Sequence, residues 1–135
     1  MKALSVRSPW WWFILHGSKD IENRDWPTNY RGTIYLHASK WWHPNDILDD
    51  AFDANFLVMP SRNRLGRDAL AAMKDSGGCL VGQVDIVDCV SHSSSRWFSG
   101  KYGFVLANPV ARDVPVPCKG ALGFFEVPES VVHSC

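Results

Sequence analysis

The stretch from Ser8 to Arg24 (Ser-Pro-Trp-Trp-Trp-Phe-Ile-Leu-His-Gly-Ser-Lys-Asp-Ile-Glu-Asn-Arg) constrains the fold of this chain more than any other. The unbroken apolar run Trp10 to Leu15 has to be buried, and its borders predict a short helix. Ser8 stands where an N-cap belongs, and Pro9 at the first helical position, where a missing N–H costs nothing. Gly17 follows as a C′ residue able to take the left-handed conformation. A charged strand over Asp20 to Arg24 comes next. A buried helix followed directly by ionisable groups puts those groups at the edge of the core, where a cleft would lie.

The chain of 135 residues reads as one domain over 1–135, long enough to bury a core. A net charge of zero argues against a broad coat for duplex DNA but leaves room for a locally basic pocket. Most of the seven Trp are expected in the core. Cys79, Cys89, Cys118 and Cys135 form no C-x-x-C pair, so no zinc ribbon and no resident metal or cofactor is expected. Their wide spacing, without a signal peptide, points to reduced thiols and a cytoplasmic setting. Trp10–Leu15 is too short to span a membrane. Oligomeric state is not legible.

Along the chain, Lys2 to Arg7 reads as a strand ahead of the helix, and Asp25 to Gly32 as a turn-rich connection. Thr33 to Ala38 alternates, with Ile34, Leu36 and Ala38 on one face and Thr33, Tyr35 and His37 on the other. Pro44 opens a helical region through Phe56, residues 60–66 are a polar break, and a second helix covers Arg67 to Asp75 before Gly77-Gly78. Cys79 to Ser91 is a strand in which Gly82 marks a bulge or a close backbone approach. A Ser-rich loop over His92 to Gly100 carries Arg96 and Trp97. Tyr102 to Ala107 is a strand, Asn108-Pro109 a turn, Val110 to Val116 a Pro-broken edge, and Leu122 to Val127 the last strand. About six or seven strands with helices inserted in one long connection predict an α+β fold, a small, mostly antiparallel barrel with flanking helices.

Lys19, Glu22 and Arg24 are the strongest chemical set. Strand alternation puts Glu22 and Arg24 on one face, close enough to pair. Lys19, three residues before Glu22, shares their side only if it belongs to the turn before the strand. A desolvated Lys beside an Arg has a lowered pKa and can act as base or nucleophile; a solvated one anchors phosphate. On spacing alone the alternative is a Glu22–Arg24 ion pair tying strands together, with Lys19 exposed.

The run Gly17-Ser18-Lys19-Asp20-Ile21-Glu22-Asn23-Arg24 resembles the GxKxxExR signature of ASCH (activating signal cointegrator homology) domains, of the PUA-like superfamily. The resemblance continues in Leu4-Ser5-Val6-Arg7-Ser8-Pro9-Trp10, in Tyr30-Arg31-Gly32 with the strand ending His37-Ala38-Ser39, in Gly82 to Cys89, and in Pro117-Cys118-Lys119-Gly120-Ala121-Leu122-Gly123. One departure is Ser8, where related bacterial sequences often carry Gln. The resemblance implies a PUA-like β-barrel with a cleft beside the first helix, and binding of RNA, single-stranded nucleic acid or a nucleotide. Some members are hydrolases, acting as ribonucleases or removing the acetyl group of N4-acetylcytidine. The latter share the signature Lys, here Lys19, but carry Thr where this chain has Glu22, and their catalytic Glu has no placed counterpart.

In the hydrolase alternative, Lys19 is the base or nucleophile activator and Glu22 the proton shuttle. In the binding reading, Arg24 and Lys19 position phosphate or base edges, and Trp10 stacks a base. Secondary ligand candidates are His37, Ser39, Lys40 in Lys40-Trp41-Trp42-His43, Trp97 in its Ser-rich loop, and Lys119. His37, on the polar face of its strand, could serve as a general base but reads first as a hydrogen-bonded structural residue. Arg62, Arg64 and Arg67 form a basic loop able to grip phosphate or simply to stay solvated. Asp85 and Asp88 fall on opposite strand faces, against a shared metal. A second alternative is a protein-interaction domain using a Trp-rich surface, which requires a large exposed apolar patch.

Overall fold

A computed structural model describes residues 1–39 and 71–132. The elements are β1 (Lys2–Val6), α1 (Trp10–His16), β2 (Ile21–Arg24), β3 (Gly32–Ala38), a helical stretch α2 (residues 71–75), β4 (Cys79–Val90), β5 (Tyr102–Pro117), β6 (Phe124–Glu126) and α3 (Glu129–Val132). The expected helix around residues 44–56, the polar break at 60–66 and the start of the second helix lie outside the described residues.

One six-stranded sheet runs in the order β2-β5-β4-β3-β1-β6. β1 and β3 are parallel; every other neighbouring pair is antiparallel. The sheet curls. Phe104 on β5 and Phe124 on β6 stack with ring centroids 6.0 Å apart, although β4, β3 and β1 lie between their strands. In a flat sheet that separation is roughly 19 Å. Trp26 lies edge-on to both rings, at 5.2 and 5.5 Å. The result is a half-barrel, an α+β barrel-like fold as expected, in which β5 and β6 meet across the interior through aromatic packing. Leu4, Ile34, Leu36, Val84, Ile86 and Phe104 fill its interior.

Bulges do much of the curling. The β4–β5 register shifts between Leu80 and Gly82, between Gln83 and Asp85, and between Ile86 and Asp88. A bulge bends a strand and increases its twist. At Gly82 a Cβ would lie 2.5 Å from the Val110 carbonyl oxygen, so the sequence expectation of a close backbone approach holds there. Asn108-Pro109 is different: the expected turn is a bulge within one continuous strand, with Asn108 at φ 54°. β2 pairs only with Tyr102 to Val105, so among the described residues the second half of β5 has no strand on that side, where Pro109, Pro115 and Pro117 displace no ladder bond.

The start of α1 also differs from expectation. Ser8 makes no capping bond, and Pro9 occupies the N-cap. The Arg7 and Pro9 carbonyls accept the first-turn N–H groups of Trp10 to Phe13. The Ser8 hydroxyl instead accepts from the indole N–H of Trp11 at 3.0 Å, because a buried indole needs a partner. A seven-residue helix is marginal alone. Burial of Trp11, Phe13 and Ile14 holds it against the sheet, each side chain contributing about 1.5–3 kcal/mol.

Candidate functional site

Lys19 reaches its position through a tight exit from α1. The Phe13 carbonyl accepts from both Gly17 N–H, at 2.8 Å, and Lys19 N–H, at 3.0 Å. The left-handed residue is Ser18, at φ 62°, not Gly17, at φ −116°. Gly17 is needed for space: a Cβ there would lie 2.9 Å from the Phe13 ring. This turn ends before β2 begins, so Lys19 escapes strand alternation and its side chain enters the same space as Glu22. Lys19 is 5% exposed and Glu22 8%.

The Lys19 ammonium donates to the Ile21 carbonyl and lies 3.5 Å from Glu22 Oε1. Glu22 Oε2 accepts from Arg24 Nη2 at 2.8 Å, and Arg24 also donates to the Ser5 carbonyl at 2.9 Å. One carboxylate therefore bridges two cations. Arg24 Nε is buried with no partner among the described residues. Burial holds the Lys19 pKa below the ordinary lysine range, with the Glu22 charge pulling the other way. The ammonium is flanked by two indoles, with centroids 6.0 Å away at Trp10 and 5.8 Å at Trp97.

These residues line an open cleft of about 760 Å³ at the mouth of the half-barrel, bounded by β2, the start of α1 and the loop before β5. Its walls carry Arg7, Lys19, Arg24 and Arg96 against Glu22 and Asp25, and the aromatic rings of Trp10, Trp26, Trp97 and Phe98. The locally basic surface sits on a chain whose net charge is zero. Sequence reasoning did not single out Arg7, Trp26 or Arg96 as site residues. Trp26 was findable: it continues the i, i+2 series of Glu22 and Arg24. Arg96 stacks on Trp97, 5.0 Å from its centroid, and adjacency in a Ser-rich loop was its only sign.

His37, Ser39 and Lys119 are not among the cleft's lining residues. His37 pairs in register with Ser5 on the outer face of the sheet. Its Nε2 lies 2.6 Å from the Cys118 carbonyl and its Nδ1 2.9 Å from Ser5 Oγ. A carbonyl only accepts, so Nε2–H donates to Cys118, and Nδ1 shares the second hydrogen bond with the Ser5 hydroxyl. Gly120 presses on the ring, where a Cβ would come within 2.6 Å. Both nitrogens are engaged, and the histidine ties β1, β3 and the 118–120 turn together. Ser39 continues the β1–β3 pairing through its N–H to the Val6 carbonyl, and Lys119 is exposed in its turn. Lys40, Arg62, Arg64 and Arg67 lie outside the described residues.

Among the described residues no group of three His, Cys, Asp or Glu could hold a metal ion, and no helix is long and apolar enough to cross a membrane. Asp85 accepts from Thr33 at 2.6 Å and Asn108 at 3.0 Å, bonds that pull its pKa down and pin the β5 bulge. Cys79, Cys89 and Cys118 carry free thiols. None of the described tryptophans is exposed; Trp41 and Trp42 lie outside the described residues.

The fold and cleft define a class: a small α+β half-barrel with a basic, tryptophan-lined cleft at its mouth. The ASCH domain model matches residues 4–111, and the chain belongs to the ASCH domain family. It is 29% identical over 127 residues to human activating signal cointegrator 1, and equally to the mouse protein of that name. Each match covers 87% of this chain and 21% of the relative, so the chain spans about a fifth of the length of these proteins.

Proposed function

We propose that this domain binds single-stranded RNA in the cleft beside α1. Arg24, Arg7 and Arg96 meet phosphate or base edges, and Trp10 with Trp26 offers stacking faces. The observation that carries this reading is the joint placement, in one cleft, of a buried Lys19–Glu22–Arg24 cluster and three indoles. Single-stranded RNA is recognised by aromatic stacking together with cations that track the backbone. The half-barrel and the ASCH membership support a PUA-like architecture for it. The free thiols at Cys79, Cys89 and Cys118 fit a cytoplasmic setting.

Lys19 acts here as a buried organiser. Its ammonium is committed to the Ile21 carbonyl and to Glu22, which fixes the carboxylate that in turn orients Arg24. Fluorescence anisotropy with a short labelled single-stranded RNA tests the reading. Wild type binds, while Arg24→Ala and Trp10→Ala each weaken binding, Trp10→Ala by about 1–3 kcal/mol for a lost stacked base. Equal affinity in all three proteins rejects it.

The lowered Lys19 pKa beside a carboxylate favours a second reading, hydrolysis of RNA or of an acylated nucleoside. There Lys19 works as the neutral amine: it takes the proton from an attacking water and returns to the ammonium, hands a proton to the Glu22 carboxylate beside it, and Glu22 delivers that proton to the leaving group. Turnover that Lys19→Ala abolishes while binding persists supports this reading; absence of turnover on RNA and on N4-acetylcytidine removes it.

A further inference from the structure

β2 uses its side chains differently. Glu22, Asn23 and Arg24 all line the cleft, but Glu22 pairs with Arg24 across it, whereas the Asn23 side chain engages the loop that wraps around β2 at the sheet edge. The Asn23 carboxamide closes two bonds to that loop: Nδ2–H donates to the Trp97 carbonyl at 2.8 Å, and Oδ1 accepts from Ser99 N–H at 2.9 Å. Just before β2, Asp20 Oδ1 accepts the Ser95 hydroxyl at 2.6 Å. Ser95 Oγ in turn accepts from Trp97 N–H at 3.2 Å. Both main-chain polar groups of Trp97 are thereby held, directly or through Ser95, by residues flanking the charged cluster.

The opposing strand makes room for this clamp. Asn23 pairs in register with Gly103, where a Cβ would lie 2.8 Å from Phe98 and from Ile21. With no side chain opposite Asn23, Phe98 packs down and the loop closes over the outer face of β2. The Trp97 indole then meets Phe13 at 5.5 Å and Lys19 at 5.8 Å, with Arg96 stacked against it.

We infer that Asn23 is a positioning residue for the cleft: through the main chain of the loop it holds the Trp97 indole in register with Lys19 and Arg24. This inference rests on the RNA-binding reading and deepens it. A role through Trp97 differs from general support, because its effect must vanish once Trp97 is gone.

The test is a double-mutant cycle of Asn23→Ala and Trp97→Ala, read by anisotropy with the same short single-stranded RNA. Asn23→Ala in the native background weakens binding roughly five- to tenfold, the range of contact-level coupling. In the Trp97→Ala background it changes binding by less than about twofold. Equal effects in both backgrounds overturn the inference. Ser95→Ala, on the exposed side of the loop, provides a milder variant with the same expected dependence on Trp97. Amide hydrogen exchange supplies a readout independent of ligand: Asn23→Ala speeds exchange at Ser99 while β4 and β5 stay protected. If wild type does not bind the RNA, the binding reading falls, and unchanged exchange at Ser99 then overturns the positioning claim separately.

Discussion

Glu22 is the residue on which the cleft depends. Its side chain is 11% exposed, and that of Lys19 only 3%. Glu22→Gln leaves the Lys19 ammonium buried without a counter-charge, and breaking a buried pair in this way costs about 3–5 kcal/mol. Chemical denaturation should show that loss, whereas Lys19→Met, which leaves Glu22 paired to Arg24, should cost less. Lys19 also makes stability pH-dependent. Its folded pKa lies below the ordinary value, so the unfolded chain keeps this proton to higher pH than the folded one. Between the two values unfolding takes up a proton, and the stability contributed at this position rises with pH. Relative to Lys19→Met, the wild type should therefore gain stability as the pH is raised from neutral through the lowered Lys19 pKa toward the ordinary lysine value. A flat or falling difference contradicts the burial argument. At this scale the sequence showed much: the charged set was identifiable, and strand alternation required Lys19 to sit in a turn. It did not show that Ser18, rather than Gly17, takes the left-handed conformation. That depends on the Phe13 ring lying against Gly17, a contact set by packing.

β4 and β5 set the shape of the half-barrel through their bulges. Gly82→Ala would push a Cβ against the Val110 carbonyl, a main-chain atom that cannot swing aside. Overpacking of this kind costs about 1–3 kcal/mol. Thermal or urea denaturation should register it, and a neutral result would mean that the β4–β5 contact is slack. The strand ladder was legible because Ile34, Leu36, Val84 and Ile86 keep a period of two. Asn108-Pro109 misled because the same dipeptide chemistry serves a turn and a bulge. Only the register, with Gln83 opposite Val110 and Asp85 opposite Ala107, separates the two. His37 makes the hydrogen bonds of the structural reading, but its face of β3, polar in pattern, is covered by Gly120 and Phe125, a long-range arrangement that local periodicity does not encode.

For the molecule as a whole, zero net charge with a locally basic cleft predicts a short footprint. Each phosphate contact to a single strand adds about 0.7 to the slope of log affinity against log salt. A cleft with Arg7, Arg24 and Arg96 at its walls should give a slope of about 2, far below that of a protein coating a long strand. A steep slope would point to a wider basic surface. The most direct test of the central claim is an NMR titration of nitrogen-15-labelled protein with a short single-stranded RNA, read at the tryptophan indole N–H signals. The account predicts saturable shifts at Trp10, Trp26 and Trp97, with Trp11 unmoved because its N–H is held by Ser8. Shifts absent from all three, or confined to Trp11 and Trp12 on the other side of α1, would contradict it.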